Sequence, residues 1–355
     1  MYEARPFAGT PEELAKFVVG AWESTYAGKM PVPHWSGDYF RWQLRLDEPD
    51  SHENSIAVYE GDQPVGVMLQ FPVMFEIAGR PCPGVQSSWL SVVPEHRGRG
   101  VATLLFDAAQ AALLKQNLRL RLGFGYTGSR VSLGPRFWKR QRDRSATSFV
   151  GRAGFWVRVL DARRAAAWNV NLPESRLTSL AGPFLRLSRP RNRSGIIIRP
   201  AQHSDVPRCL ELADVATRNC QLRLVRDADA LERHLGLAGF SQALVAEERG
   251  QVRGCIAYHC IPIAGRTVER VGILDLVFLS ELSKAGRTEL LKSVLWRLRD
   301  EGAVLALKLR TGDYPAGTFL SRGWFCKPAD SDVIVNWAQE SEKIPRLRRM
   351  HVLWR

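Results

Sequence analysis

Residues 97–102 of the 355-residue chain read Arg97-Gly98-Arg99-Gly100-Val101-Ala102, and these types at this spacing suit the holding of a phosphate anion. Small residues let the backbone come close to a ligand. The guanidinium groups of Arg97 and Arg99 are fitted to paired, charge-assisted contacts with phosphate oxygens. Such a loop needs elements to aim it. Upstream, Val85–Val93 alternates polar and apolar residues and is rich in β-formers, which predicts a half-buried strand stopped by Pro94. Downstream, Val101, Leu104, Leu105, Ala108, Ala112 and Leu113 share one face at helical spacing. The first N–H groups of that helix have no internal partner, so strand, glycine-rich turn and helix N-terminus together make a pyrophosphate cradle. The form is neither the P-loop GxxxxGK[S/T] nor the dinucleotide GxGxxG. A plain turn with solvated arginines is the bland alternative, and the flanking strand and helix count against it.

Composition frames the rest. A length of 355 residues suggests two domains, each able to bury a core. Hydrophobic content of 45% and charged content of 24% are those of an ordinary globular protein. There is no 18-residue apolar run, so no membrane span is expected. The start, MYEARPFAGTPEEL, has no apolar core of a signal peptide. Six cysteines without a CxxC pair point to reduced thiols and a cytoplasmic location. No His/Cys/Asp cluster has metal-ligand spacing. The net charge of +14 is concentrated in Arg130–Arg144 and Arg186–Arg193. A solvated arginine face, attraction of an acidic ligand or substrate, and a nucleic-acid surface each account for it; no DNA- or RNA-recognition motif accompanies the charge.

In chain order, Thr10-Pro11-Glu12-Glu13 is a capping box that opens a helix through Val19. Ser36–Leu46 reads as a second helix bearing Tyr39, Phe40, Trp42 and Leu44. Ile56–Tyr59 and Pro64–Ile77 form a hairpin, and the core strand and helix follow. Leu118–Gly123 is the next strand, then an irregular stretch, then closing strands at Thr147–Val150 and Phe155–Leu160. The basic, proline-punctuated residues 161–195 read as a linker between a domain at 1–160 and another at 196–355. The second half repeats the first in order. Ile77-Ala78-Gly79-Arg80 recurs as Ile263-Ala264-Gly265-Arg266, Leu120-Arg121-Leu122 as Leu307-Lys308-Leu309, and Gly154-Phe155-Trp156 as Gly323-Trp324-Phe325. The cradle does not recur: after Gly272–Leu279 comes Ser280-Glu281-Leu282-Ser283, where Glu281 would repel phosphate.

Arg97, Gly100 and Ala102, with the lead-in Val92-Val93-Pro94, match Arg/Gln-x-x-Gly-x-Gly/Ala, motif A of the GNAT N-acetyltransferase superfamily, which the chain resembles. The resemblance implies an α+β fold of three layers: two tandem acyl-CoA N-acyltransferase folds, each a mixed, mostly antiparallel twisted sheet flanked by helices. It further implies that Val92, Val93, Arg97, Gly98, Arg99, Gly100, Val101 and Ala102 bind acetyl-CoA or another acyl-CoA, with no metal. Two such folds with one cofactor loop are the arrangement of N-myristoyltransferases, and Ser36–Leu44 is similar to the Trp-containing helix of that family. In that family the terminal carboxylate is the base, which by position implies the carboxylate of Arg355. The glycine-rich loop here is of the ordinary acetyltransferase kind.

The implied chemistry is direct attack of an amine on the thioester in a ternary complex. A backbone N–H in the stretch Ser91–Val93 would polarise the carbonyl, as an oxyanion hole does. Glu76 is a second candidate base or a solvated strand carboxylate; because Phe137-Trp138 stands where the superfamily has its acidic Tyr, the role of acid is vacant or taken by Tyr126 or Ser129. His96 neighbours the loop, and Asp275 lies inside the second core strand, on a solvated side or in an acceptor cleft. The expectation is an N-acetyltransferase acting on an amine-bearing small molecule or peptide. Its rivals are a long-chain N-acyltransferase and a non-catalytic acyl-CoA-sensing or nucleic-acid-binding module.

Overall fold

The computed structural model describes residues 1–48, 51–127, 134–185, 187–190, 195–237, 239–339 and 344–354. The chain divides into two compact units, Met1–Ala153 with Ala329–Arg348, and Gly154–Pro328 with Arg349–Trp354. The contiguous division at 160 and 195 expected from sequence therefore differs from the division by packing. Residues 329–348 pack with the first unit although they fall late in the chain.

The first unit opens with strand β1 (Tyr2–Pro6) and helix α1 (Pro11–Tyr26). The Thr10 hydroxyl accepts from Glu13 N–H at 3.2 Å and the Glu13 carboxylate accepts from Thr10 N–H at 2.7 Å, so the predicted capping box is present. The α1 face carrying Leu14, Val18, Ala21 and Thr25 is buried at the spacing of one helical stripe. Helix α2 (Gly37–Leu44), capped by Ser36, buries Tyr39, Phe40 and Trp42. Strands β2 (Ser55–Glu60), β3 (Gln63–Ile77) and β4 (Arg80–Val92) form a meander. Helix α3 (Val101–Lys115) lays Val101, Leu105, Phe106 and Ala109 on Ile56, Val58, Val65 and Met68 of that sheet. It returns the chain to β5 (Leu120–Tyr126), parallel to β4. Helix α4 (Gly134–Arg144) occupies part of what sequence left irregular.

Two closing strands were expected; there is one, β6 (Thr147–Val159). Gly151 and Gly154 suggest a break, yet both lie in ladders. Up to Ala153, β6 pairs with the late strand Ser331–Trp337, which also pairs with β5. From Gly154 onward it pairs with a strand of the second unit's own sheet. Tertiary partners thus override the local turn signal.

The second unit repeats the pattern with β7 (Ile196–Pro200), β8 (Gln242–Glu248), β9 (Gln251–Ala264), β10 (Val268–Phe278) and β11 (Ala303–Arg310). Neighbours are antiparallel except β10 and β11, which are parallel and joined by helix α5 (Lys284–Asp300). Its core gathers Leu290, Leu291, Val294, Leu295 and Leu298 of α5 on Ile256, Tyr258, Leu274 and Val277. Each unit is a mixed, mostly antiparallel sheet flanked by helices. Among the described residues no helix is long and apolar enough to cross a membrane.

Candidate active site

The site is built where β4 leaves its neighbours. Opposite β3, Leu69 faces Ser88 and Val67 faces Ser91, so Trp89 and Leu90 together face Met68, a β-bulge. Trp89 takes φ +56°, a left-handed conformation rare for a bulky residue. On the other edge, the parallel ladder to β5 ends at Gln86–Leu122. Beyond it, Ser87–Val92 and Gly123–Tyr126 run on without pairing to each other. Val93 N–H donates to Val65 O at 3.1 Å. Since N–H groups of an antiparallel strand alternate edges, Val92 N–H points the other way, into the gap between β4 and β5.

The loop Arg97–Ala102 follows that gap. A short turn at Pro94–His96 leads into Gly98 (φ +75°) and Gly100 (φ +86°), both exposed with nothing near a would-be Cβ. These glycines are required by backbone conformation, not by crowding. Crowding acts instead at Gly66 on β3, where a Cβ would stand 2.8 Å from Val101 Cγ1; the missing side chain lets α3 start close to the sheet. Gly100 is the N-cap of α3 and no side chain caps the helix, so its first N–H groups face outward beside the exposed Arg99. Uncapped N–H donors, a backbone bare of side chains and an adjacent cation fit a pyrophosphate. The described residues contain no group of His, Cys, Asp and Glu able to hold a metal ion.

Several expected roles change. Arg97 does not reach outward: its Nε donates to Val92 O at 2.9 Å and its Nη2 to Thr25 Oγ1 at 2.5 Å and Ala21 O at 3.4 Å. It ties the loop to the end of β4 and to α1. The N–H of Val93 is committed to the ladder, so the donor available to a carbonyl is that of Val92. Buried Ser91 accepts from Trp22 Nε1 at 2.9 Å and donates to Trp89 O at 3.0 Å, holding the bulge in shape. Glu76 faces Pro81 near the hairpin tip. Nine residues along β3 from Val67, it lies about 30 Å from Ser91, too far to act as base. His96 accepts or donates through Nδ1 to Tyr2 OH at 2.8 Å, bracing the N-terminal strand. Tyr126 ends β5 at the mouth of the gap. Ser129 and Arg355 fall outside the described residues.

One carboxylate escaped sequence reasoning. Asp332, on the late strand, stands opposite Gly125 of β5, one register position from the Ser331–Tyr126 pair and so on the other face of the sheet from Tyr126. Burial raises its pKa above the ordinary value against the opposing pull of Arg152 and Arg346. No local signal marks it, because it reaches β5 from the far end of the chain.

Around the bulge sits an aromatic cluster. The Trp89 ring meets Trp35 at 6.1 Å, Tyr39 at 6.1 Å and Phe40 at 5.3 Å between centroids, all edge to face, and Trp22 meets Trp35 at 5.1 Å. The indole N–H groups of Trp35 and Trp89 are buried without an acceptor.

The second unit keeps the frame and alters the chemistry. Its bulge falls at Asp275, the position of Trp89 at the 186-residue offset of the repeat. There the carboxylate meets buried His259 Nδ1 at 2.8 Å. The following helix is closed. Ser283 caps α5 by accepting from Gly286 N–H at 3.0 Å, Glu248 accepts from Ser283 N–H and Oγ–H at 3.1 and 2.6 Å, and Glu281 pairs with Arg208. Two carboxylates at that terminus repel a phosphate.

Residues 11–131 match the family model described as an acetyltransferase (GNAT) domain. No curated protein sequence matches the chain. Among solved structures, the chain is similar to Saccharomyces cerevisiae N-myristoyltransferase with bound myristoyl-CoA, at TM-score 0.75 and 13% identity over 97% of this chain and 84% of that one. It is also similar to a GCN5-related N-acetyltransferase from Anabaena variabilis, at TM-score 0.55 and 12% identity over 96% and 73%. A third, from Kribbella flavida, gives TM-score 0.53 and 16% identity over 94% and 71%. At these identities the likeness is one of fold.

Proposed function

For a chain with a GNAT acetyltransferase domain at residues 11–131 and a fold like that of N-myristoyltransferase, we propose an acyl-CoA-dependent N-acyltransferase with acetyl-CoA as donor. The carrying observation is the open, uncapped N-terminus of α3 at the end of a strand that has parted from its parallel neighbour. The pyrophosphate lies on the N–H groups of residues 100–102 with Arg99 beside it, and the thioester carbonyl accepts from Val92 N–H. A neutral amine attacks that carbonyl carbon, its nitrogen forming the new C–N bond. The C–S bond breaks, the amine proton passes to Asp332, and the CoA thiolate leaves, taking a proton from Tyr126; water then takes the proton from Asp332 and returns one to Tyr126. The raised proton affinity of Asp332 suits a base working nearer neutrality than an ordinary carboxylate. A donor-side N–H of this kind is worth about 2.7–4 kcal/mol in comparable sites. The acceptor class is an amine-bearing small molecule or peptide.

Thiol release from acetyl-CoA across a panel of amines tests the reading, together with calorimetry of acetyl-CoA binding. A stoichiometry near one per chain is expected. Binding without thiol release for any amine favours a non-catalytic acyl-CoA sensor. Asp332→Asn is expected to lower kcat and flatten the acid limb of its pH profile while leaving CoA affinity in place.

A further inference from the structure

We propose that Trp89 is the acyl-length gate of this donor site, admitting acetyl-CoA and donors of similar length and closing the site to fatty acyl chains. The inference deepens the acyl-transfer reading and rests on it. With the carbonyl on Val92 N–H and the CoA arm leaving toward α3, the acyl tail points back along β4, into the part of the gap that narrows to the closed ladder at Gln86–Leu122. The bulge residues Leu90 and Trp89 come next along that path. There the indole is only 3% exposed and is wedged among Trp35, Tyr39 and Phe40. A two-carbon tail stops short of the ring, whereas a long one must enter the volume that the ring fills.

Two features separate this cluster from ordinary core packing. The Trp89 backbone is held at φ +56°, and the indole N–H groups of Trp35 and Trp89 are buried without acceptors. Both are costs, and cores that serve stability alone avoid them. They gather three residues from the donor N–H, on a bulge that the Trp22–Ser91 hydrogen bond fixes. The second unit has no counterpart ring, since Asp275 stands at the equivalent place.

The test is calorimetric titration of the full chain with acetyl-, butyryl-, hexanoyl- and octanoyl-CoA, which needs no acceptor. The unaltered protein is expected to bind octanoyl-CoA at least about tenfold more weakly than acetyl-CoA. Trp89→Gly, which also relieves the left-handed backbone, is expected to recover about tenfold for octanoyl-CoA relative to acetyl-CoA. Trp89→Phe keeps most of the bulk and should keep the short-chain preference. Equal affinity for acetyl- and octanoyl-CoA in the unaltered protein overturns the gate without need of any variant, as does an unchanged preference in a folded Trp89→Gly protein. Failure of every acyl-CoA to bind overturns the donor-site reading itself, and the gate with it.

Discussion

The N-termini of α3 and α5 occupy the same place in two repeats of one fold and have opposite electrostatic characters. Eight residues, Val93 to Gly100, lead into α3; five, Leu279 to Ser283, lead into α5. The longer loop has room for two left-handed glycines and leaves helix N–H groups bare. The shorter one satisfies them with Ser283 and surrounds them with Glu248 and Glu281. Ordinary capping chemistry therefore separates a bare helix end from a closed one, with the strand–helix frame unchanged.

Buried cations give the sharpest way to break the comparison. Lys308 in the second unit is 1% exposed and donates to Asp313 at 2.7 Å and to Leu309 O at 2.7 Å. Arg121 in the first is as deeply buried, donates through Nε to Gln70 at 3.2 Å, and has no acceptor for Nη1 or Nη2. Burial pulls its pKa down to about 9. Lys308→Met strands the Asp313 carboxylate and is expected to cost about 3–5 kcal/mol. Arg121→Met is expected to be neutral or stabilising, because a guanidinium that rests on Gln70 and the Phe106 ring with no carboxylate to balance it among the described residues is exchanged for apolar volume. Urea titration of both variants decides it; equal losses would dissolve the contrast.

The helix ends themselves come next in size. Gly100→Glu is expected to weaken CoA binding by more than about 100-fold, some 2.7 kcal/mol. Its left-handed backbone adds a folding cost of about 1–2 kcal/mol that helix position alone does not reveal. Ser283→Gly, the matching change in the second unit, is expected to cost a few tenths of a kcal/mol, roughly, and leave CoA affinity unaltered. A fall in CoA affinity at Ser283 equal to that at Gly100 would contradict the assignment of one site per chain.

Below the losses expected at Lys308 and Gly100 comes a pH dependence confined to the second unit. Buried His351 lies 3.4 Å from Asp313, and desolvation outweighs that neighbour, pushing its pKa from 6.5 down to about 4. Below about pH 6.5 the unfolded chain takes up a proton that the folded chain refuses, so stability falls as pH drops toward 4. At pH 5 the loss is about 2 kcal/mol. His351→Gln should flatten this slope in melting curves between pH 7 and 4.5.

Much of the site was legible because it is local. A glycine pair, a proline after an alternating strand and a helical stripe lie within 30 residues, and all three formed as their spacing implies. Glu76 falls near the hairpin tip because strand length, unlike strand existence, decides which end of a hairpin a residue occupies. The contacts of Arg97 were not legible because its type fits phosphate as well as it fits the carbonyls of Val92 and Ala21. Sequence matching of Leu120-Arg121-Leu122 to Leu307-Lys308-Leu309 also misleads: Arg121 pairs with Val85, whereas Val271, the repeat partner of Val85, pairs with Leu305. Asp332 was invisible because its place depends on a strand returning from the other end of the chain.

That returning strand has a consequence for synthesis. Thr127 N–H and its hydroxyl both donate to Asp330 O, a partner 203 residues away, just before Ser331–Trp337 fills the ladder between β5 and β6. A chain emerging from the ribosome has made the whole Arg97–Ala102 loop and its helix long before that strand exists. Until then β5 presents an unpaired edge, open to pairing with another nascent chain. Loop closure over such a span is slow, so the first unit waits for residues made near the end of synthesis, and a fragment ending at residue 160 would carry the complete motif on an unfinished sheet.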